Sequence, residues 1–305
     1  MKHLLAIRDL SADDLRTILD RSKQPAPRPL EDKGVALYFE KPSARTRNSM
    51  ELAVAQLGGH PVYLQPAELG IGTRESVKDV TRTLACYHAI VAARVFDHAL
   101  LEEMAAVDAA PVLNLLSATD HPLQALADLL TIEQLLGRIA GAKVAFIGEA
   151  HNVARSLAEG CALLGAEFVI ASPEGYGFDD ESICQVTDPA EAVAGADIVY
   201  TDVWVSMGDE HSEEKLAALA PYQVNDALMA RAPGAHFLHC LPAHRGEEVT
   251  AGVIDGPRSA VWKQAENRMH TARGAMLWLL GHSSETERWQ NQTLAVRVPD
   301  PMPVA

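Results

Sequence analysis

The sequence lacks any apolar run of the roughly 18 residues that a membrane-spanning helix needs, so no membrane is expected. The stretch from Met1 to Asp9 has no long apolar segment and no small-residue cleavage site, and a secretory signal is not expected either. Cysteine is scarce. Cys86, Cys161, Cys184 and Cys240 lie far apart with no C-x-x-C pair. That spacing argues against a zinc site and against a disulfide framework, and it fits a reducing cytoplasm. Positive charge is in deficit: 26 Lys and Arg against 41 Asp and Glu leave a net charge of −15. A phosphate backbone demands a basic surface, so nucleic acid is not an expected partner. The glycine fingerprint G-x-G-x-x-G is also missing. Gly148-Glu149-Ala150-His151-Asn152 sits where a dinucleotide turn would but does not complete it, and NAD is not implied.

What is present suits two globular domains. The chain has 305 residues, 48% of them apolar, which is enough for two domains of ordinary size. Ser11-Ala12-Asp13-Asp14 has capping-box spacing and predicts a first helix. Buried strands are expected at 35–39, 61–64, 89–94 and 111–115, with helices at about 46–57, 76–87 and 99–106 between them. A long helix from about His121 to Leu136 follows, and Lys143-Val144-Ala145-Phe146-Ile147 restarts the pattern. Further strands are expected at 168–171, 198–201 and 236–240, and a closing helix at 264–280. Strand–helix alternation of this length predicts an α/β fold: two doubly wound parallel-sheet domains joined by long helices. The expected domains are 1–135 and 136–282, with the closing helix packing back across the first, and a tail at 283–305.

The negative net charge poses a question if the ligand is an anion, because arginines must then be gathered locally. Arg45, Arg47, Arg94 and Arg268 are the candidates. Ser43-Ala44-Arg45-Thr46-Arg47 lies between a strand end and a helix start, where backbone N–H groups and the positive helix end attract anions. Arginine adds a bidentate grip there. Arg94 ends an apolar strand and needs either a salt bridge, for which Asp97 is the nearest candidate, or a ligand. His121-Pro122-Leu123-Gln124 opens a helix, and the i, i+3 spacing puts His121 and Gln124 on one face. The histidine can polarise a carbonyl oxygen, and the glutamine can accept from an NH₂ group. Asp202, followed by Ser206-Met207-Gly208, suits an amino-acid clamp, although Ser-Met-Gly taken alone is a plain turn. His239-Cys240-Leu241-Pro242 ends an apolar strand. Strand alternation turns His239 away from Cys240, which argues against a Cys–His hydrolase.

These segments, in this order and at domain-scale spacing, resemble the carbamoyltransferase family, and within it the members that act on ornithine. The resemblance runs from about residue 4 to about residue 282. Aspartate-using members carry His-Pro-Leu-Pro where this chain has His239-Cys240-Leu241-Pro242. The resemblance implies transfer of a carbamoyl group from carbamoyl phosphate to the δ-amine of L-ornithine, giving L-citrulline and phosphate, without a metal or organic cofactor. It implies a carbamoyl-phosphate pocket of Ser43, Ala44, Arg45, Thr46, Gly70, Arg94, His121, Gln124, Cys240, Leu241 and Arg268, with Gly70 contributed across a subunit boundary, and an ornithine clamp of Asn152, Asp202, Ser206 and Met207. Arg94, His121, Thr46 and Cys240 are the catalytic candidates. It also implies a homotrimer, or a multiple of trimers, in which the loop from Gly70 to Ser76 reaches a neighbour's site.

This chain departs from the family pattern at three places. Ala44 stands where Thr is common, and Gly70 where a larger polar residue is frequent, with Arg74 placed to substitute. Glu149-Ala150-His151-Asn152 stands where Asp-Gly-Asn-Asn or a close relative is usual. An amine of the lysine type has a pKa of about 10.4, so only about one molecule in a thousand is neutral near pH 7. Cys240 and Asp202 are the candidates to take its proton. The alternatives are a carbamoyltransferase for putrescine or N-acylated ornithine, disfavoured by the clamp at Asp202, and a non-catalytic homologue, disfavoured by the intact arginines.

Overall fold

The computed structural model of the protein describes residues 1–205 and 212–281, so the expected tail at 283–305 lies outside the described residues. The first helix, α1 (Ala12–Ser22), starts on a reciprocal cap. The Ser11 hydroxyl accepts the Asp14 N–H, and the Asp14 carboxylate accepts the Ser11 N–H. The next strand, β1 (Gly34–Phe39), is buried along almost its whole length, as a central parallel strand with helices on both faces must be. Then come α2 (Ala44–Gln56), β2 (His60–Leu64), α3 (Pro66–Leu69), α4 (Val77–Tyr87), β3 (His88–Arg94), α5 (His98–Ala106) and β4 (Val112–Leu116). Their four strands form one parallel sheet in the order β2-β1-β3-β4.

Helix α6 (Pro122–Leu136) leaves that sheet and stops at Gly137, whose φ of 70° is a left-handed cap that glycine fills without strain. The second half runs β5 (Lys143–Ile147), α7 (Asn152–Leu164), β6 (Glu167–Ala171), β7 (Cys184–Val186), α8 (Pro189–Val193), β8 (Ile198–Thr201), α9 (Glu213–Leu219), α10 (Asp226–Ala230), β9 (His236–His239), α11 (Ala251–Ile254) and α12 (Val261–Leu279). Its five strands are also all parallel, in the order β7-β6-β5-β8-β9.

Both sheets reverse their winding direction beside the first strand of each half. In the first sheet the chain builds from β1 to β2 on one side, then returns to lay β3 and β4 on the other. In the second it builds β5, β6 and β7, then returns to β8 and β9. A crevice opens at such a switch point, outside the carboxyl ends of the strands. Phe39 pairs with Arg94 at one crevice, and Ile147 pairs with Thr201 at the other.

One apolar core runs through both halves. It joins Leu37 and Phe39 of the first sheet to Val144, Phe146 and Tyr200 of the second, through Leu126 of α6, Leu157 of α7 and Met276 of α12. The outer faces of the two sheets carry separate cores, around Ala36, Val91 and Leu101 and around Ala145, Val199 and Phe237. The closing helix starts at Val261, three residues before the expected position, and packs on α1, α2, α6 and β9. Its fit to α1 requires Gly274, where a Cβ would strike the Ser22 hydroxyl and the Ile18 carbonyl. The strand expected to reach Cys240 ends at His239, because Leu241 turns back with a φ of 58°. The short elements α3, β7, α8, α10 and α11 were too brief to carry a periodic signal.

Candidate active site

The two crevices face one another across a single cleft of about 480 Å³. From the first half it is lined by Ser43, Arg45, Thr46, Arg94, His121 and Gln124, and from the second by Asn152, Asp202, Cys240, Leu241 and Arg268. Of the sequence candidates among the described residues, Ala44, Arg47, Gly70 and Arg74 do not line it. Ala44 is the first residue of α2, behind the Ser43 cap. Gly70 lies in the turn after α3, where its carbonyl accepts the N–H groups of Thr73 and Arg74, and the Arg74 guanidinium donates back to the carbonyls of Glu68 and Leu69. Ser206 and Met207 lie outside the described residues.

The first-half side is built to hold an anion. The Ser43 hydroxyl caps α2 by accepting the Thr46 N–H at 3.4 Å, which aims the helix start at the cleft. Arg268 reaches in from α12 and donates to Gln124 Oε1 at 2.5 Å and to Thr46 Oγ1 at 3.0 Å. Thr46 thereby accepts from an arginine and keeps its own O–H for a ligand. Among the described residues the guanidinium groups of Arg45 and Arg94 make no hydrogen bond or ion pair, and Arg94 Nε is buried without a partner. Asp97, the alternative partner for Arg94, instead caps α5 by accepting the Ala99 N–H. Burial and the charges of Arg268 and Arg45 draw Arg94 down to about 10, and burial foremost draws Arg268 to about 10. Burial and all three arginines push His121 well below the ordinary range, so its imidazole is neutral and can donate one N–H. An anion entering here relieves the repulsion among three arginines.

The second-half side has mixed charge. Asp202 follows β8, is nearly buried, and accepts the Val203 N–H at 2.8 Å. His151 Nε2 stands 3.4 Å from its other oxygen. The Asn152 amide donates to the Ser117 carbonyl at 2.8 Å, which ties the start of α7 to the loop before His121. Glu149 is paired with Lys215 at 2.7 Å. Of the departures from the family pattern, His151 and Glu149 line the cleft. The sequence signal for His151 was its place beside Asn152 after β5. No local signal tied it to Asp202, 51 positions on, because β5 and β8 become neighbours only in the sheet.

Cys240 enters from a rigid turn. The His239 ring is fully buried, and because the strand ends at this residue a ring nitrogen lies within 4.8 Å of the Cys240 sulfur and of an Asp202 carboxylate oxygen, not on the opposite side as strand alternation predicts. Its Nδ1 accepts the Leu241 N–H at 2.8 Å, so its Nε2 is the protonated nitrogen and donates to Glu248 at 3.0 Å. Glu248 Oε1 also accepts the His244 N–H, closing the loop on itself. A carboxylate oxygen of Asp202 and the Cys240 sulfur lie within 4.8 Å of one another. Burial and the charge of Asp202 push the Cys240 thiol well above its ordinary range. That shift favours the protonated thiol and, of the two sequence candidates for accepting the proton, favours Asp202.

Paired switch points, one cationic and one of mixed charge, define an α/β group-transfer enzyme that brings an anionic donor to a second substrate. The model of the aspartate/ornithine carbamoyltransferase carbamoyl-P binding domain matches residues 2–134, and that of the Asp/Orn binding domain matches residues 140–279. The chain belongs to the aspartate/ornithine carbamoyltransferase family. It is 46% identical to an ornithine carbamoyltransferase of Bacillus subtilis, over 93% of this chain and 96% of that one. It is 43% identical to an anabolic ornithine carbamoyltransferase of Pyrococcus furiosus, over 92% and 96%. The solved structure of ornithine carbamoyltransferase from Pyrococcus furiosus superposes with a TM-score of 0.88 at 42% identity, covering 93% of this chain and 98% of that one. That from Thermus thermophilus gives 0.85 at 43%, covering 92% and 99%.

Proposed function

We propose that the protein transfers the carbamoyl group of carbamoyl phosphate to the δ-amine of L-ornithine, yielding L-citrulline and phosphate in the biosynthetic direction. The observation that carries this reading is the meeting of Arg45, Arg94 and Arg268, which have no carboxylate salt-bridge partner among the described residues, with Asp202 across one cleft. The dianion binds at the start of α2 between Arg45, Arg94 and Arg268. Neutral His121, Thr46 and Arg94 donate to the carbamoyl oxygen as it gains negative charge, a stabilisation already in place before reaction. Asn152, Asp202, Ser206 and Met207 hold the amino acid. The neutral amine attacks the carbamoyl carbon, the bond to the phosphate oxygen breaks, and the surplus proton on nitrogen passes toward Asp202.

The protein works as a homotrimer in the cytoplasm, with the loop at Gly70 and Arg74 reaching a neighbouring cleft. The resemblance of the loop from Gly70 to Ser76 to the family's subunit-bridging segment supports that assembly, and the turn is exposed at 72–75. Among the described residues no helix is long and apolar enough to cross a membrane. The residues 1–135 and 136–282 are the two functional domains of this reading.

A citrulline assay with ornithine, putrescine, N-acetylornithine and aspartate tests the proposal. Citrulline from ornithine, with at most about a hundredth of that rate for putrescine, is the expected result, since putrescine has no α-ammonium to pair. A faster reaction with any other amine would sink it.

A further inference from the structure

Behind the cleft, and outside every role assigned above, lies a fully buried carboxylate. Asp128 stands one turn after Gln124 on α6 and is 0% exposed. Its Oδ1 accepts the Gln124 amide N–H at 2.7 Å and the Gln264 amide N–H at 2.7 Å, and its Oδ2 accepts the Tyr200 hydroxyl at 3.2 Å. Gln264 also donates to the Tyr200 oxygen at 3.0 Å, while its carbonyl accepts the His239 N–H at 2.9 Å. The network thus joins α6, β8, α12 and β9, and it ends on the residue before Cys240.

An amide can sit two ways round, and its neighbours decide which. Arg268 can only donate, and an ionised carboxylate can only accept. Gln124 lies between the two, so a single orientation satisfies both: its NH₂ on Asp128 and its carbonyl oxygen on Arg268. Gln264 is read in the same way between Asp128 and the His239 N–H. That orientation gives Gln124 an acceptor oxygen, with one lone pair left after Arg268, on the residue that lines the cleft. The NH₂ of a carbamoyl group needs such an acceptor; a reversed amide would set donor against donor.

We propose that Asp128 is a positioning residue that makes the cleft selective for a carbamoyl NH₂ by locking the amide of Gln124 with its oxygen forward. The inference rests on the carbamoyl-phosphate reading of the cleft. Burial draws the Asp128 carboxyl up to about 7, against the opposing pull of Gln264, Gln124, Tyr200 and the charge of Arg268. The other titratable groups facing it are Cys161 of α7 and Cys240.

The test compares two ligands, carbamoyl phosphate and inorganic phosphate, of which only the first carries the carbamoyl group with its NH₂, by calorimetric titration near pH 8 of the wild type and Asp128→Asn. Asparagine keeps the shape but adds an NH₂ that competes with both glutamines. Carbamoyl phosphate should bind about tenfold more weakly to Asp128→Asn, the size expected for one lost hydrogen bond and one mismatched donor. Inorganic phosphate should change by less than about twofold, because its arginine contacts remain. In a Gln124→Met background the same substitution should produce no further selective loss, since two residues acting through one contact are not additive. Equal losses for both ligands would make Asp128 a packing residue and overturn the inference, as would unchanged carbamoyl-phosphate binding. A wild type that fails to prefer carbamoyl phosphate over phosphate would instead overturn the reading of the cleft itself.

Discussion

The two sides of the cleft solve different problems. The first-half side concentrates like charge: burial and the charges of Arg268 and Arg45 lower Arg94, and burial with all three arginines pushes His121 to its neutral form. Such a site is strained when empty and is relieved by any small dianion, so it supplies affinity and, during reaction, charge stabilisation. The second-half side gives its carboxylates neighbours of their own, His151 3.4 Å from Asp202 and Lys215 2.7 Å from Glu149. A ligand must share Asp202 with the His151 ring already beside it, so in the proposed reading this side favours molecules that bring an ammonium group. Affinity thus comes from unresolved repulsion, and selectivity from a carboxylate that already has a neighbour.

The strongest way to break that contrast is Asp202→Asn. Removing one member of a buried charge pair costs about 2–5 kcal/mol, so kcat/KM for ornithine should fall by about two orders of magnitude or more while carbamoyl-phosphate affinity holds. Steady-state kinetics beside calorimetry would show it, and equal losses for both substrates would merge the two sides into one. Arg45→Ala comes next. Loss of a charge-assisted phosphate contact removes about 1.5–3 kcal/mol, and carbamoyl phosphate should bind at least about tenfold more weakly. Unchanged binding would move the anion elsewhere.

Gly274→Ala tests what braces both sides at once. Forcing a methyl against the Ile18 carbonyl should destabilise the fold by about 1–3 kcal/mol, seen as an earlier urea midpoint. The next prediction concerns pH. Asp128 has its folded pKa raised from the ordinary 3.8 to about 7, so the folded state holds that proton more tightly than the unfolded state. The stability this adds is complete below 3.8 and is lost as pH rises through about 7. The stability of the wild type minus that of Asp128→Asn should therefore shrink from pH 5 to pH 8 in urea titrations, and a constant difference would rule out the shift. The smallest effect is expected for Cys240→Ser. With the thiol held protonated well beyond neutrality, turnover should drop modestly and the pH–rate profile below pH 8 should keep its shape. A shifted acid limb would restore a thiolate to the reaction.

Much of the cleft was legible because its residues sit at strand ends and helix starts, where side-chain chemistry is unusual for the position. Arg94 at the end of an apolar strand, and His121 before a helix-opening proline, declare themselves against the local background. Asp128, Gln264 and Glu248 do not. Each lies within or beside a regular element whose spacing explains it as an ordinary polar position, and each acquires its role from a partner on another element.

The sequence by itself determined the alternating parallel sheets, the break after Gly137, and which strand ends carry reactive groups, because period, caps and apolar runs are local properties of the chain. Tertiary structure alone decided which of those groups meet. The winding of each sheet brought β5 beside β8 and so His151 to Asp202, and α12 carried Arg268 back to Thr46 and Gln124. It also decided protonation, since the neutral state of His121 and the protonated thiol of Cys240 follow from burial and neighbouring charge, neither of which residue spacing records.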